Sequence, residues 1–330
     1  MSRSEPLDRN LAFELARVTE AAALAAARWM GRGDKNAADQ AAVNAMRVTL
    51  ASVDMDGVIV IGEGEKDEAP MLYIGEEIGN GLPPKVDVAV DPIDGTTLLS
   101  KGMPNAVSVV ALSERGTMYY PPGIVYMEKL AVGPEGKGHV SLECSVQENI
   151  RSLAKAKGVD PRDLTVVILD RPRHAELVEQ VRQAGARIKF ITDGDVAGGI
   201  MPCIEGTGVD MLLGIGGAPE AVVTACALKC LGGEIQCKLW PRNEEERAQA
   251  EANGLPLNKV LQMDDLVRGD DVFMSLTGVT HGELVGGVRY TARGAYTETL
   301  AMRSRSGTIR RIHSHHNLGK LSRYAAVAYG

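Results

Sequence analysis

Aromatic residues are scarce, with three Phe and two Trp in 330 residues, which leaves little from which to build a stacking platform for single-stranded nucleic acid. A formal charge of -7 argues against a general polyanion binder, so no nucleic-acid partner is expected, while a local basic pocket stays open. No uninterrupted apolar run is long enough to cross a bilayer, and no membrane partner is expected. The alanine-rich run Ala21 to Ala27 follows Glu14, Arg17 and Glu20 and has no cleavage-like site after it, so it reads as a soluble helix rather than a signal peptide. Five cysteines, an odd number with no CxxC pair, do not suggest a disulfide framework; a reducing, cytoplasmic setting follows as the default. Cys226 and Cys230, four apart on an expected helix, read as small core residues.

What remains is an ordinary composition, 45% hydrophobic and 24% charged, in a chain long enough for two domains. A loose polar stretch around Gly133 to Gly138 places the division near residue 145, giving 1–145 and 146–330. No internal repeat or low-complexity tract is present.

The chemistry centres on Asp91-Pro92-Ile93-Asp94-Gly95-Thr96. The preceding Val86 to Val90 alternates as a strand, and Pro92, which cannot donate to a ladder, is expected to end it. Gly95 permits a tight turn. Two carboxylates and a hydroxyl at a strand end suit a hard divalent cation, although an Asp/Gly/Thr turn needs no metal.

Upstream, Leu11 to Met30 reads as a helix stopped by Gly31-Arg32-Gly33, and a second helix runs from about Ala37 to Ala51. Asn36 is expected to cap it, with Asp39 either completing a capping box or facing a metal. Val58 to Ile61 reads as a buried strand, followed by Gly62-Glu63-Gly64-Glu65-Lys66-Asp67-Glu68; glycines around Glu63 let its carboxylate turn inward, while the other acids suit solvent. Val107 to Leu112 and Gly123 to Leu130 are expected to complete a first sheet, with Tyr126 in the core by default.

In the second half, strands at Thr165 to Leu169, Arg187 to Ile191, Val209 to Leu213 and Glu234 to Leu239 alternate with helices at His174 to Ala184 and Pro219 to Leu231, implying parallel βαβ units. A further helix is expected at Glu244 to Asn253, and strands from Asp271 onward end this sheet. Polar groups again follow the strands, where open α/β sheets gather their ligands. Arg171-Pro172-Arg173 suits an anion. Asp193-Gly194-Asp195 suits sugar hydroxyls or a helix cap. Gly214 to Glu220 approximates a dinucleotide fingerprint but has Pro219 in place of its last glycine and comes late in the half, which argues against NAD. Pro219 instead presets the first position of a helix, with Glu220 in its first turn. His313, His315 and His316 have no carboxylate beside them in sequence and read as surface or subunit contact.

These motifs together resemble the lithium-sensitive, metal-dependent phosphatase superfamily, and more closely the class II, bacterial-type fructose-1,6-bisphosphatases. The resemblance rests on Trp29 to Asp39, Ile61 to Glu76, Asp91 to Thr96, Tyr126 to Leu130, Asp170 to His174, Thr192 to Val196 and Gly214 to Glu220. It implies an α/β, two-domain layered αβαβα sugar-phosphatase fold with mixed sheets. It also implies hydrolysis of D-fructose 1,6-bisphosphate to fructose 6-phosphate and phosphate in gluconeogenesis, by a homo-oligomer, dimer or tetramer. By the same resemblance Asp39 and Glu63 hold one Mg²⁺ or Mn²⁺, and Asp91, Asp94 and Glu220 a second. Glu63, Asp94 and Thr96 are then the catalytic set, and Gly95 and Thr96 also touch the 1-phosphate. Tyr126, Arg171, Pro172 and Arg173 serve the distal phosphate, Asp193, Gly194, Asp195 and Gly217 the sugar, and Lys35 adds charge near the reacting group. Oxygen ligands without His or Cys favour Mg²⁺ or Mn²⁺ over Zn²⁺. A dual fructose-1,6-/sedoheptulose-1,7-bisphosphatase and an inositol or nucleotide phosphatase are the alternatives within the superfamily. The rival outside it is a non-catalytic cation- or sugar-phosphate-binding protein.

Overall fold

The computed structural model describes residues 10–64 and 71–324. Glu65, Lys66, Asp67 and Glu68 therefore lie outside the described residues. Helix α1 (Ala12–Ala26) runs into a short turn at Ala27–Trp29, and α2 (Lys35–Leu50) follows. The cap of α2 is Asp34 rather than Asn36: its Oδ1 accepts from Ala37 N at 2.9 Å. Asp39 thereby falls in the second turn, beyond the reach of a capping box.

Strands β1 (Asp56–Ile61), β2 (Glu77–Ile78), β3 (Lys85–Asp94) and β4 (Val107–Glu114) come next, with helix α3 (Thr96–Lys101) between the last two. Strand β5 (Tyr126–Val132) precedes α4 (Val146–Lys157), β6 (Thr165–Leu169), α5 (Ala175–Gln183), β7 (Arg187–Ile191) and α6 (Val196–Ile200). Then come β8 (Met211–Gly217), α7 (Ala218–Leu231), β9 (Glu234–Trp240), β10 (Phe273–Gly278), β11 (Arg289–Thr291), β12 (Gly294–Arg303) and β13 (Thr308–His316).

Two mixed sheets form. The first has the order β11-β12-β10-β4-β3-β1-β2, with β13 pairing β12 as well, and the second β7-β6-β8-β5-β9. Two sequence expectations are corrected here. Residues from Phe273 onward join the first sheet, while β5 leaves it for the second, antiparallel to both β8 and β9. The sheets therefore do not follow a division near residue 145. Parallel pairing within the second sheet is confined to β6 with β7 and β8, because β5 is inserted between β8 and β9.

Packing yields five layers. Helices α1 and α2 cover one face of the first sheet, through an apolar cluster that includes Val86, Val88 and Val90 of β3. Helix α7 lies between the sheets and is apolar on every side, with Ala221, Val222, Val223, Ala225, Cys226 and Leu228 fully buried, as a helix without a solvent face must be. Burial also pushes the Cys226 thiol up to about 12, in keeping with a core side chain. Helices α4 and α5 close the outer face of the second sheet through Ile150, Leu153 and Val181. The layered αβαβα architecture with mixed sheets is the one expected from the sequence. No helix among the described residues is long and apolar enough to cross a membrane.

Carboxylates from other elements do lie near His316 and His313 of β13. Glu20 of α1 accepts from Ser314 Oγ at 2.6 Å and Thr297 Oγ1 at 3.3 Å, and that threonine also bonds His316 Nε2 at 2.8 Å. Glu298 is the cross-strand partner of His313 and pairs with Arg311.

Candidate active site

Strand β3 does not end at Pro92. It continues to Asp94 through a bulge: Asp91 pairs with Val109 and Asp94 with Val107, so three steps on β3 oppose two on β4. Pro92 is tolerated because β1, the neighbour on the other side, pairs only as far as Ala89. Along β3 the valines face α1 and α2 while Ala89 faces the layer of α7, and the two-residue period puts Asp91 on that inner side. Gly95 then turns the chain at φ +94° into α3, whose first residue is Thr96. Thr96 Oγ1 has only a long contact, 3.5 Å, to Ile93 O.

Helix α7 brings Glu220 to the same place. Strand β8 runs on to Gly217, beyond the expected end at Leu213, and Pro219 occupies the second helical position rather than the first. Carboxylate oxygens of Asp91, Asp94 and Glu220 lie within 4.8 Å of one another. They line a cavity of about 290 Å³ together with Asp39, Glu63, Gly95, Thr96, Asp193 and Gly194.

The electrostatics are those of a cation site. Burial, then the neighbouring acids, raise Asp91 well above the usual carboxylate range, and Asp94 likewise. Burial with Asp39 behind it lifts Glu63 to about 7, and burial alone raises Asp39. Glu220 is also raised by burial, and its Oε2 is buried with no hydrogen-bond partner. An orphaned carboxylate oxygen inside an all-oxygen cluster fits a hard divalent cation, so the residues present match the Mg²⁺ or Mn²⁺ that the resemblance implies.

A second cavity of about 250 Å³ shares Asp193, Gly194, Pro219 and Glu220 with the first and extends to Tyr126, Arg171 and Arg173. Arg173 sits 5.0 Å over the Tyr126 ring and donates to Ile215 O at 2.7 Å. Tyr126 is half-buried and meets Trp240 edge-on, so the default core reading does not hold. Pro172 is not among the residues lining the cavity; it stands between the two arginines and opens the turn Pro172–His174, to which Arg173 belongs. Lys35 Nζ donates to Thr97 Oγ1 at 2.8 Å, next to Thr96.

The segment 193–196 grips the β3–α3 turn. Thr97 N donates to Asp193 Oδ2 at 2.8 Å, and Val196 N to Asp94 Oδ2 at 3.1 Å. Gly194, at φ +61°, passes so close that a Cβ there would sit 2.7 Å from Asp94 Oδ1. Asp195 stands at the cap position of α6 but its side chain bonds no helix N–H: Lys129 Nζ donates to both its oxygens at 2.8 Å, and the two side chains are almost fully buried.

Lys129 has no role in the sequence reading, while Gly216, Gly217 and His174 lie within its motifs but act differently from what the motifs suggest. Lys129 shares a strand face with the buried Met127 and Ala131, and that period-two placement was the available signal. Burial works against its charge, but Asp195 and Glu220 outweigh burial and raise its pKa. Gly216 and Gly217 supply room: a Cβ on the first would lie 1.9 Å from Asp195 Oδ2, on the second 1.8 Å from Glu220 Oε2. His174 ties the arginine turn to β8, with Nδ1 against Leu169 O at 2.7 Å and Nε2 accepting from Ile215 N at 2.7 Å. Burial lowers its pKa, consistent with the neutral ring those two bonds require.

Comparison with known proteins gives a consistent result. The family model described as bacterial fructose-1,6-bisphosphatase, glpX-encoded, matches residues 9–316. The chain is 48% identical over 328 residues to the fructose-1,6-bisphosphatase class 2 of Haemophilus influenzae, covering 96% of this chain and 98% of that protein. It is 47% identical over 325 residues to the fructose-1,6-bisphosphatase 1 class 2 of Escherichia coli K12, covering 94% and 96% respectively.

Proposed function

We propose a mechanism for a chain that belongs to the bacterial, glpX-encoded fructose-1,6-bisphosphatase family and, as a phosphoric monoester hydrolase, converts D-fructose 1,6-bisphosphate to fructose 6-phosphate and phosphate. The observation that carries it is the meeting of Asp91, Asp94 and Glu220 with an unpartnered, buried Glu220 oxygen. Asp39 and Glu63 would hold one Mg²⁺ or Mn²⁺, and Asp91, Asp94 and Glu220 another. Such cations supply the positive charge that phosphate-ester hydrolysis needs on the transferring phosphoryl group and leaving oxygen. The 1-phosphate would sit against Gly95 and the start of α3, whose cap residue has no side chain of its own to offer, beside the Thr97 N–H that Asp193 holds. Thr96, its hydroxyl barely engaged inside the protein, orients the attacking water.

Arg171 and Arg173 hold the distal phosphate, with Tyr126 beneath Arg173 fixing the guanidinium plane. The sugar lies between, against Asp193, Gly194 and Gly217, while Lys129 keeps Asp195 in a fixed orientation at the cavity wall. Lys35 places a cation beside α3. A homo-oligomer, dimer or tetramer, in the cytoplasm completes the reading. Phe13, Tyr296 and Ile309, exposed apolar residues on α1, β12 and β13 at one edge of the first sheet, support association.

Phosphate release from fructose 1,6-bisphosphate, sedoheptulose 1,7-bisphosphate, inositol 1-phosphate and a nucleotide monophosphate, each with and without chelator, tests this. The expected result is cation-dependent release from the ketose bisphosphates. Chelator-resistant release would remove the carboxylate cluster from the chemistry.

A further inference from the structure

Helix α3 carries Thr96 at its first position, yet its own cap residue is Gly95, which has no side chain to bond the exposed N–H groups. The cap comes from the other sheet. Asp193, in the segment after β7, accepts Thr97 N on Oδ2 at 2.8 Å, while its Oδ1 faces Arg171 Nη2 at 3.6 Å. One carboxylate therefore joins an arginine of the second cavity to the first turn of the helix that bears Thr96. The rest of α3 is held from the opposite side, with Gly31 N bonded to Leu99 O at 2.9 Å and Gly33 N to Ser100 O at 3.0 Å. Two side chains reach its first turn, Lys35 on Thr97 Oγ1 at 2.8 Å and Asp193 on Thr97 N, and of the two it is Asp193 that also faces Arg171.

We propose that Asp193 is a positioning residue that couples occupancy of the distal-phosphate subsite to the placement of Thr96; this rests on assigning Arg171 to that phosphate. With the subsite empty, Arg171 shares the Asp193 charge and weakens its hold on the Thr97 N–H. A phosphate dianion draws the guanidinium toward itself, because a dianion competes effectively with one carboxylate for the same fork. The full Asp193 charge then falls on the start of α3, where an anion is favoured by the helix dipole as well as by the hydrogen bond. The second phosphate thus tightens the helix carrying the reacting threonine, and its binding energy is expressed in turnover as well as in affinity.

The test compares fructose 1,6-bisphosphate with fructose 1-phosphate, which keeps the leaving group and lacks the distal phosphate, on the cation-loaded wild type and on Arg171→Ala, Asp193→Asn and the double variant. Asn at 193 still accepts Thr97 N–H but cannot answer to Arg171. The expected outcome is a fall in kcat on the bisphosphate of roughly ten- to hundredfold for Asp193→Asn. Fructose 1-phosphate, which shares the sugar contact with Asp193 but not the distal phosphate, should lose several-fold less in kcat than the bisphosphate, and the double variant should be no slower than the worse single one. A KM increase shared by both substrates at constant kcat would make Asp193 a simple sugar contact. Equal kcat losses on both substrates with a lowered Tm would make it structural only; either result overturns the coupling. If Arg171→Ala raises KM for the bisphosphate but leaves the kcat ratio of the two substrates unmoved, the distal-phosphate assignment survives and the coupling fails. If Arg171→Ala moves neither quantity, both fall.

Discussion

Gly217→Ala isolates the position of Glu220 without touching any ionisable group. Gly217 has φ -62° and ψ 142°, a conformation open to alanine, so the backbone change alone is expected to stabilise by about 0.4–1 kcal/mol through the unfolded chain. The new methyl would lie 1.8 Å from Glu220 Oε2 and 2.5 Å from its Cδ, far inside contact distance. Those atoms are the end of a flexible side chain, so the carboxylate swings away and the fold survives. Its withdrawal removes one oxygen donor from the trio with Asp91 and Asp94, a loss on the order of ten- to a hundredfold in cation affinity. At saturating cation a thirtyfold weaker site forfeits about 2 kcal/mol of ligand-linked stability. Calorimetric titration with Mn²⁺ and thermal unfolding with and without Mn²⁺ read both quantities. Wild-type affinity in a normally folded variant would refute the assignment of Glu220. A metal-free variant destabilised by more than about 2 kcal/mol would show instead that the carboxylate is locked in place by packing.

Thr96→Ala should fold and bind Mn²⁺ as the wild type does, since Thr96 Oγ1 makes only a 3.5 Å contact, while turnover drops at least about a hundredfold; near-normal turnover removes Thr96 from the mechanism. Cation binding should release protons. The folded, cation-free chain holds Glu63 protonated up to about 7, against 4.5 for the ordinary side chain, so it binds more protons than the unfolded chain between those values and loses stability as pH rises through the window. Titrations with Mn²⁺ in buffers of different ionisation enthalpy should therefore show more release at pH 6 than at pH 8, and equal values would contradict the raised pKa. Lys129→Met leaves Asp195 charged and buried alone, a loss of about 3–5 kcal/mol in denaturant unfolding that Asp195→Leu in the same chain should largely restore; a loss below about 1 kcal/mol would mean the pair is dispensable.

Much of the candidate site was legible because its carboxylates sit where local rules speak clearly. Asp91 and Asp94 stand at the end of an alternating strand, Glu63 follows a strand between glycines, and Glu220 opens a helix behind a proline. Long-range pairing was not legible. The alternation of β5 and of the strands after Phe273 predicts strands equally well in either sheet, and only the tertiary partners decide. Asp39 looked like half of a capping box because Asn36 is as good a cap by type as Asp34, and a shift of two residues changed its meaning. The glycines Gly214 to Gly217 approximated a dinucleotide fingerprint that Pro219 spoils. Their reason at Gly216 and Gly217 is the bulk of Asp195 and Glu220, side chains distant or differently placed in the sequence. Lys129 was hidden by type, since a lysine is expected at the surface and only a buried carboxylate elsewhere in the chain justifies it.

The carboxylates are held together by the protein against their own repulsion, and the means come from both sheets. Asp94, on the first, has one oxygen fixed by Val196 N from the second. Glu220, in the first turn of α7, gains from the positive end of that fourteen-residue helix, which follows β8 of the second sheet, and from the charge of Lys129 on β5 of the same sheet. Neither source reaches far enough to neutralise Asp91, Asp39 and Glu63, which remain raised by burial. The fold thus stabilises the arrangement of the acids without satisfying their charge, and the deficit is what a hard cation is attracted by. Because the backbone groups that orient Asp94 and the helix that delivers Glu220 arrive from residues 196–231, a fragment ending before them would keep Asp91 and lose both its partner and the geometry of Asp94. The acidic pocket is a property of the junction between the sheets, and its geometry depends on both being present.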